Sequence, residues 1–458
     1  MTGVQSLIAR TSLSVLIGGI SIIVCSIRRL FSLPRQSFDR LVNIAFVLSR
    51  LAIYIVAFLL LHLEPRGDVV GFYWREAKFV LGHLLPYRDF SSPYAPLHPY
   101  LDAIALHIWF SPLALILLVL LVETLVLPLW LRVGRLFLTE EHLRTSALLY
   151  LTSAISIQFV TINGQNNVMI AVLLVLALLL VSRHQAFASG AAVGLGVVAV
   201  KFLPLLYVPG FIAAVPRRWR WLAGLSMVIA IVYGICLFLH LPSLQPLISE
   251  SGLKSADDLP YVFESITGFT VPSIVWDMLV LVLCGSIYLL IAVKSRGATL
   301  PLRLRILTFG FAALTVALIL FSKKSWPPYL MLSLFPICLL FRSKLNIAGF
   351  ALLGVVSAAS HSYWETLLVE LKATGLHQGL LSRDPKCILF LFIELVLIVC
   401  YAWVLQAALR QIYRSPLAVE VTPANEESLF LISSSSRPLQ PAENVASQAP
   451  PLGARASG

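Results

Sequence analysis

Apolar runs long enough to cross a bilayer recur along this chain, each parted from the next by a short polar stretch. In lipid an isolated backbone satisfies its own N–H and C=O groups only as a helix, so each run commits its residues to one local structure. The candidate spans are residues 12–26, 42–62, 108–131, 145–161, 166–182, 187–200, 203–215, 222–241, 272–293, 306–321, 329–341, 345–361 and 387–409. Barrel strands would alternate apolar and polar residues, and these runs do not. The expected fold is an all-α polytopic membrane protein, a bundle of about 11–13 membrane helices. Several runs are short for a full crossing. The pair 187–200 and 203–215 reads either as two half-length helices meeting near Lys201 or as one long helix kinked at Pro204.

A net charge of +12 would suggest a nucleic-acid partner in a soluble protein. Here 59% of residues are hydrophobic and only 12% charged, and the basic excess sits in loops, where it sets topology. Nineteen Lys and Arg fall in the mostly short loops of one face and eleven in the longer loops of the other. The richer face is therefore cytoplasmic. The alternation holds only if residues 187–215 cross twice or form a re-entrant pair. This places the loop after the second run outside the cytoplasm, with Lys201 near the same face. Residues 1–40 read as an N-terminal membrane-associated anchor, 41–410 as the transmembrane domain, and 411–458, rich in Ser, Pro and Ala, as a disordered cytoplasmic tail. The six cysteines lie in or beside apolar runs without disulfide or metal spacing, and read as packing residues.

Chemistry is concentrated in the loop from Gly67 to Leu101, which gathers acids, aromatics and prolines. Asp68 lies just past the end of a span, where partial desolvation would suit a carboxylate to general-base work. The residues alone equally allow a solvated acid or a cap for the helix that follows. Glu76, Asp89 and Asp102 read as ordinary loop acids. Tyr94 and His98, in Ser92–Tyr100, form a rigid interfacial turn or a platform for sugar stacking. Asn163, Gln165 and Asn166 could hold hydroxyls, or simply turn the chain around Gly164. Lys201, inside apolar sequence, either snorkels to lipid or meets an anion such as a phosphate. Glu264 in Phe263–Phe269, and Lys323, Lys324, Trp326 and Tyr329 in Ser322–Tyr329, complete the candidates. P-loop, dinucleotide-binding and H-E-x-x-H patterns do not occur, which points away from a nucleotide substrate and toward a lipid-linked one.

Taken in order along residues 40 to 345, these segments resemble glycosyltransferase family 87, the polyprenol-phosphate-mannose-type transferases of the C-type superfamily. Asp68, Tyr73 and the Gly82–Tyr87 step match an acid-aromatic element, and Tyr94-Ala95-Pro96-Leu97 resembles Y-P-P-L. Gly164-Gln165-Asn166-Asn167 follows, then a small-residue helix ending in Lys201 and Pro204. Glu264–Gly268 is similar to N-Q-S-L-x-G, and Ser322–Tyr329 to S-P-x-S-W-x-H-Y. Ala95 and Lys323 stand where the family has proline, Pro328 where it has histidine, and Glu264 near its Asn-Gln pair.

The resemblance implies an inverting transfer of a sugar, with mannose expected, from a polyprenyl-phosphate donor to a glycan or lipid acceptor at the outer face of the plasma (inner) membrane. Asp68 would be the base. Lys201, Lys323 and Lys324 would hold the donor phosphate, and Tyr73, Tyr94, His98, Asn163, Gln165, Asn166, Glu264, Trp326 and Tyr329 would line the sugar and acceptor pocket. No cofactor, metal or nucleic acid is expected. The alternatives are a lipid or polyprenol-phosphate transporter, which would use intramembrane charges such as Arg50, Glu123 and Glu394, and a non-catalytic subunit of an envelope-glycan assembly.

Overall fold

All thirteen apolar runs are helical in the computed structural model, which describes residues 3–251, 254–341, 343–368 and 371–415. Among the described residues there is no strand beyond a single bridge between Pro86 and Phe90. Eight helices there are long and apolar enough to cross a membrane. They are α1 (Arg35–Leu60), α2 (Pro112–Gly134), α3 (Glu140–Ile162), α4 (Arg218–Phe238), α5 (Ser273–Ser295), α6 (Leu300–Phe321), α7 (Leu345–Tyr363) and α8 (Pro385–Tyr413). The chain is a multi-pass, all-α membrane protein. Asn167–Ser182, Ala186–Ala199, Leu203–Ala214 and Pro327–Cys338 are apolar but shorter. Within residues 1–40, read from sequence as an anchor, the helix Gly3–Val24 packs along α7. Of the segment 411–458 read as a disordered tail, 411–413 end α8, and 416–458 lie outside the described residues.

Burial follows the sequence unevenly. α3 and α6 are buried almost throughout, whereas α4 and α5 expose most of their apolar residues. Ile231, Ile235, Leu281 and Leu289 on those two helices are more than half exposed. Exposed side chains of this kind suit lipid contact, since acyl chains are as apolar as the side chains themselves. The six cysteines are free, and all but the half-buried Cys25 are buried, as packing residues should be.

One ion pair ties the first three spans together. Arg50 on α1 and Glu123 on α2 are both fully buried, with Nε 3.7 Å from Oε2. The Arg50 guanidinium also donates to Ser156 Oγ at 2.8 Å and to the Leu151 carbonyl at 3.1 Å on α3. Glu123 Oε1 accepts from the Tyr150 and Ser156 hydroxyls at 3.1 and 2.5 Å. The guanidinium lies over Phe46, 4.5 Å from its centroid. These two charges, which a transporter reading would assign to a substrate path, are engaged with each other and with the scaffold.

Wide, i→i+5 helical turns occur at Ile55–Leu60, Val69–Tyr73, Ile157–Ile162 and Trp364–Leu368. Such turns are costly in regular helices and collect where a helix end has to be re-aimed. Here they lie beside Asp68 and Gln165 and include Glu365.

Breaking the buried pair while leaving one charge behind should cost about 3–5 kcal/mol. Glu123→Ala is therefore expected to lower the unfolding midpoint in detergent sharply, while the apolar double variant Arg50→Met/Glu123→Leu should recover most of the loss. Equal destabilisation by both variants would show that the pair carries more than charge balance.

Candidate functional site

The loop after α1 doubles back on the bundle because its polar groups find partners there. Glu76, read from sequence as a loop acid, is fully buried on the helix Trp74–Leu81 and accepts from Ser92 Oγ at 2.7 Å. Burial raises its pKa to about 8, against the opposing effect of the Ser92 hydrogen bond. Asp102 corrects the sequence reading in the same way. It is 2% exposed, with Oδ2 3.2 Å from Nδ1 of the equally buried His98. His98 Nε2 lies 2.7 Å from the Asn166 amide nitrogen. That amide donates to Nε2, so the ring carries its proton on Nδ1, toward Asp102. Asp89 alone of the three is an exposed loop acid, held below the usual carboxylate range by Arg88 and by the Leu85 N–H.

His98 does not line the candidate cavity. It stacks beneath Tyr94, with ring centroids 4.6 Å apart and planes at 22°. Tyr73 packs edge-on to Tyr94 at 5.0 Å. Tyr94 is thereby fixed in an aromatic cage, and its hydroxyl and that of Tyr73 face Asp68. Burial, and then the Asp68 charge, holds the Tyr94 phenol far above its ordinary pKa, so Tyr94 is a permanent donor toward that carboxylate. Asp68 sits at the start of Val69–Tyr73, but its side chain accepts no backbone hydrogen bond there. The capping role is thus excluded.

Lys201 reaches this cage through a break in helix geometry. Ala186–Ala199 ends at Val200 (φ −128°, ψ −75°), and a 3₁₀ turn, Leu203–Tyr207, follows. Of the two readings left open for 187–215, the structure shows two short helices meeting at Lys201. The break leaves helix-end carbonyls without partners in their own helix. Ala95 N–H donates to Val200 O at 3.2 Å and Leu97 N–H to Val198 O at 3.0 Å, stitching the 94–97 loop onto the helix end. A proline at 95, as in the family pattern, could not make the first bond. The half-buried Lys201 ammonium lies 4.8 Å from the Tyr94 ring centroid and 5.8 Å from that of Tyr329. Burial lowers its pKa, and Asp68 acts in the opposite direction.

Gly164, at φ +63°, lets the turn after α3 close against the same loop. A Cβ there would lie 2.8 Å from Val69 Cγ2 and 2.9 Å from Ile116 Cγ1. Elsewhere Ser255 joins two distant segments, donating its N–H to Lys323 O at 3.0 Å and accepting from Ser325 N–H at 2.7 Å.

These contacts surround a cavity of about 1070 Å³. Asp68, Lys201, Lys323, Lys324, Tyr94, Gln165, Glu264, Trp326 and Tyr329 all line it. Tyr73, His98, Asn163 and Asn166 do not; Tyr73, His98 and Asn166 stand behind the wall and brace it. Two lining residues are occupied in ways their sequence gave no sign of. Lys323 pairs with Asp277 at 2.8 Å, and Glu264 receives both oxygens' bonds from Lys254 at 2.8 and 2.9 Å. Lys324 also lines the wall, its pKa lowered to about 8 by burial and by Lys201. Among the described residues no group of three His, Cys, Asp or Glu is arranged to hold a metal ion.

The far wall was missed from sequence. It includes Asp258, Tyr261, His361, Trp364, Glu365 and Lys372. His361 Nε2 and Glu365 Oε1 are 3.3 Å apart, and the Trp364 and Trp326 rings meet at 5.0 Å. A Cβ on Gly67 would lie 3.3 Å from Glu365 Oε1, so this wall comes close to the Asp68 turn. The signal was present: His-x-x-Trp-Glu at the end of a span repeats the acid-and-aromatic grouping found after α1. No protein-family model matches the chain, and no curated protein matches it.

Gly164→Ala should destabilise the fold by about 1–2 kcal/mol for the left-handed backbone alone, before the contact with Val69 is counted. Gly71→Ala, whose Cβ would meet nothing within 4 Å, should cost nothing. Thermal unfolding of both variants checks the contrast, and equal midpoints would show that the Gly164 turn is not constrained.

Proposed function

We propose that this chain is an integral-membrane glycosyltransferase that moves a sugar from a polyprenyl-phosphate donor to a hydroxyl of a glycan or lipid acceptor, with inversion. The observation that carries the reading is the meeting, in one cavity, of Asp68, two lysines from distant segments and an aromatic lining. Asp68 takes the acceptor's hydroxyl proton, the freed oxygen bonds to the sugar's anomeric carbon, and the carbon–oxygen bond to phosphate breaks. The bonding pair leaves with the polyprenyl phosphate. Lys201 and Lys324 stabilise the charge that develops on that leaving group. Tyr94 orients the carboxylate by donating to it, and Gln165 offers an amide to sugar hydroxyls. Trp326 and Tyr329 supply aromatic faces of the kind on which sugar rings stack. In this reading donor and acceptor meet at the outer face of the membrane, which the bias of basic residues toward the opposite loops supports.

Asp68→Asn keeps the shape of the side chain and removes its basicity. Membranes carrying this variant, folded by the same thermal criterion as wild type, should lose at least about 100-fold in transfer from polyprenyl-phosphate sugar, the low end for general-base catalysis. Normal transfer by the variant would overturn the reading.

The charge on Lys324 gives a pH test. With its pKa lowered to about 8, the ammonium is present below that pH and lost as pH rises through it. The profile of kcat/KM, which reports free-enzyme groups, should fall on the alkaline side near pH 8. Lys324→Arg, charged throughout, should move that limb upward by more than a pH unit. An unmoved limb would remove Lys324 from phosphate binding.

A further inference from the structure

Behind the far wall, three fully buried side chains from separate segments meet: Asp257 before the helix Leu259–Thr267, Ser360 on α7 and Glu394 on α8. Ser360 Oγ is within hydrogen-bond distance of both Asp257 Oδ1 and Glu394 Oε1. A hydroxyl has one proton and can donate to only one of them. The second contact needs a proton on a carboxyl, donated to the hydroxyl oxygen. Because both carboxyls reach the same hydroxyl, they lie side by side in the interior. If both were ionised, Asp257 Oδ2 and Glu394 Oε2 would be left buried without a donor. Two like charges in this medium would add a Coulomb cost of several kcal/mol even at an effective dielectric of about 20.

We propose that Asp257, Ser360 and Glu394 form a proton-binding site, which holds one proton between the two carboxyls and adjoins the cavity through His361. His361, one residue beyond Ser360, lines the cavity with Glu365 beside it. Its Nε2 faces Glu365 Oε1 while its Nδ1 is buried without a hydrogen-bond partner, and its charge acts on Asp257. The other groups facing the site are Asp258 and Tyr261 from the cavity side, and Tyr401 one helical stretch further along α8. A monovalent metal ion could replace the proton chemically, so the test separates the two. The proposal does not rest on sugar transfer, and the measurement uses no donor.

The full chain in lipid nanodiscs is titrated by infrared difference spectroscopy in potassium and in sodium buffers. At neutral pH, wild type should show a carboxylic-acid carbonyl band that is missing from Asp257→Asn/Glu394→Gln. Bands from the other buried acids, Glu76 and Asp258, should remain in both. The lost band should be the same in sodium as in potassium. Ser360→Ala leaves both acids in place and should shift the band without abolishing it, which keeps the test open if the double variant does not fold. His361→Gln should raise the pH at which the band disappears, since the imidazole favours the Asp257 carboxylate. Spectra identical in wild type and the double variant, or in wild type and Ser360→Ala, would overturn the site. Loss of the wild-type band in sodium would reassign it to a metal cation, and an unmoved His361→Gln titration would sever its link to the cavity.

Discussion

The Arg50–Glu123 pair is the constraint on which the position of the candidate site depends. Two charges inside a helical bundle persist only when each is matched, and here the matching groups come from α1, α2 and α3 together. Those helices end, or begin, at the segments that matter most. α1 leads into the turn at Asp68, α2 starts where the 67–111 loop returns to the bundle, and α3 runs into Asn163–Gln165. A clamp in the middle of three helices fixes the relative height of their ends. Lipid-facing packing could not do so, because apolar faces slide past one another at little cost.

The second constraint is the use made of unsatisfied backbone. A helix that stops inside a bundle exposes carbonyls that cost free energy until they are paired. At Val198 and Val200 those carbonyls take the N–H groups of the 94–97 loop, and this places the Tyr94 ring under the Lys201 ammonium. Structural necessity and the proposed chemistry therefore share the same bonds. The aromatic–His98–Asp102 stack behind Tyr94 extends the arrangement inward, so that Tyr94 is held from below by ring packing and from the side by backbone pairing.

How much of this was legible in the sequence depends on the range of the interaction. The apolar runs declared the long helices, because burial in lipid is a property of a segment by itself, whereas polar-loop helices such as Trp74–Leu81 and Leu259–Thr267 left no such run. Asp68, Lys201, Gln165 and Trp326 could be picked out because each is a polar or aromatic exception at the end of such a run. Their convergence on one cavity could not be computed from spacing, and neither could the occupation of Lys323 by Asp277, 46 residues away, or of Glu264 by Lys254, ten residues away across a turn of the chain. Glu76 and Asp102 were misread for a related reason. Their loop looks polar and exposed in one dimension, and only its folding back, with Ser92 and His98 as partners, makes those acids interior. The His361–Glu365 wall was hidden by the apolar run that precedes it, which drew attention to the span and away from its last turn.

The charges of the cavity sort by whether the scaffold already consumes them. Lys254 is neutralised by Glu264 and Lys323 by Asp277. Asp258 caps the helix Leu259–Thr267 through the Tyr261 N–H at 2.7 Å and accepts from Ser255, and burial raises its pKa well above the carboxylate range. Glu365 stands against His361. At the cavity wall burial lowers the pKa of both Lys201 and Lys324, Lys201 lowers that of Lys324 further, and Asp68 acts on Lys201 in the opposite direction. The cavity thus brings two ammonium groups near enough to act on each other, with Asp68 acting on the first. Under the proposed function, the phosphate of the donor offsets the repulsion between these two ammonium groups. Asp68 lies close enough to act on Lys201 and accepts no bond from the helix it begins, a placement that suits the proposed base.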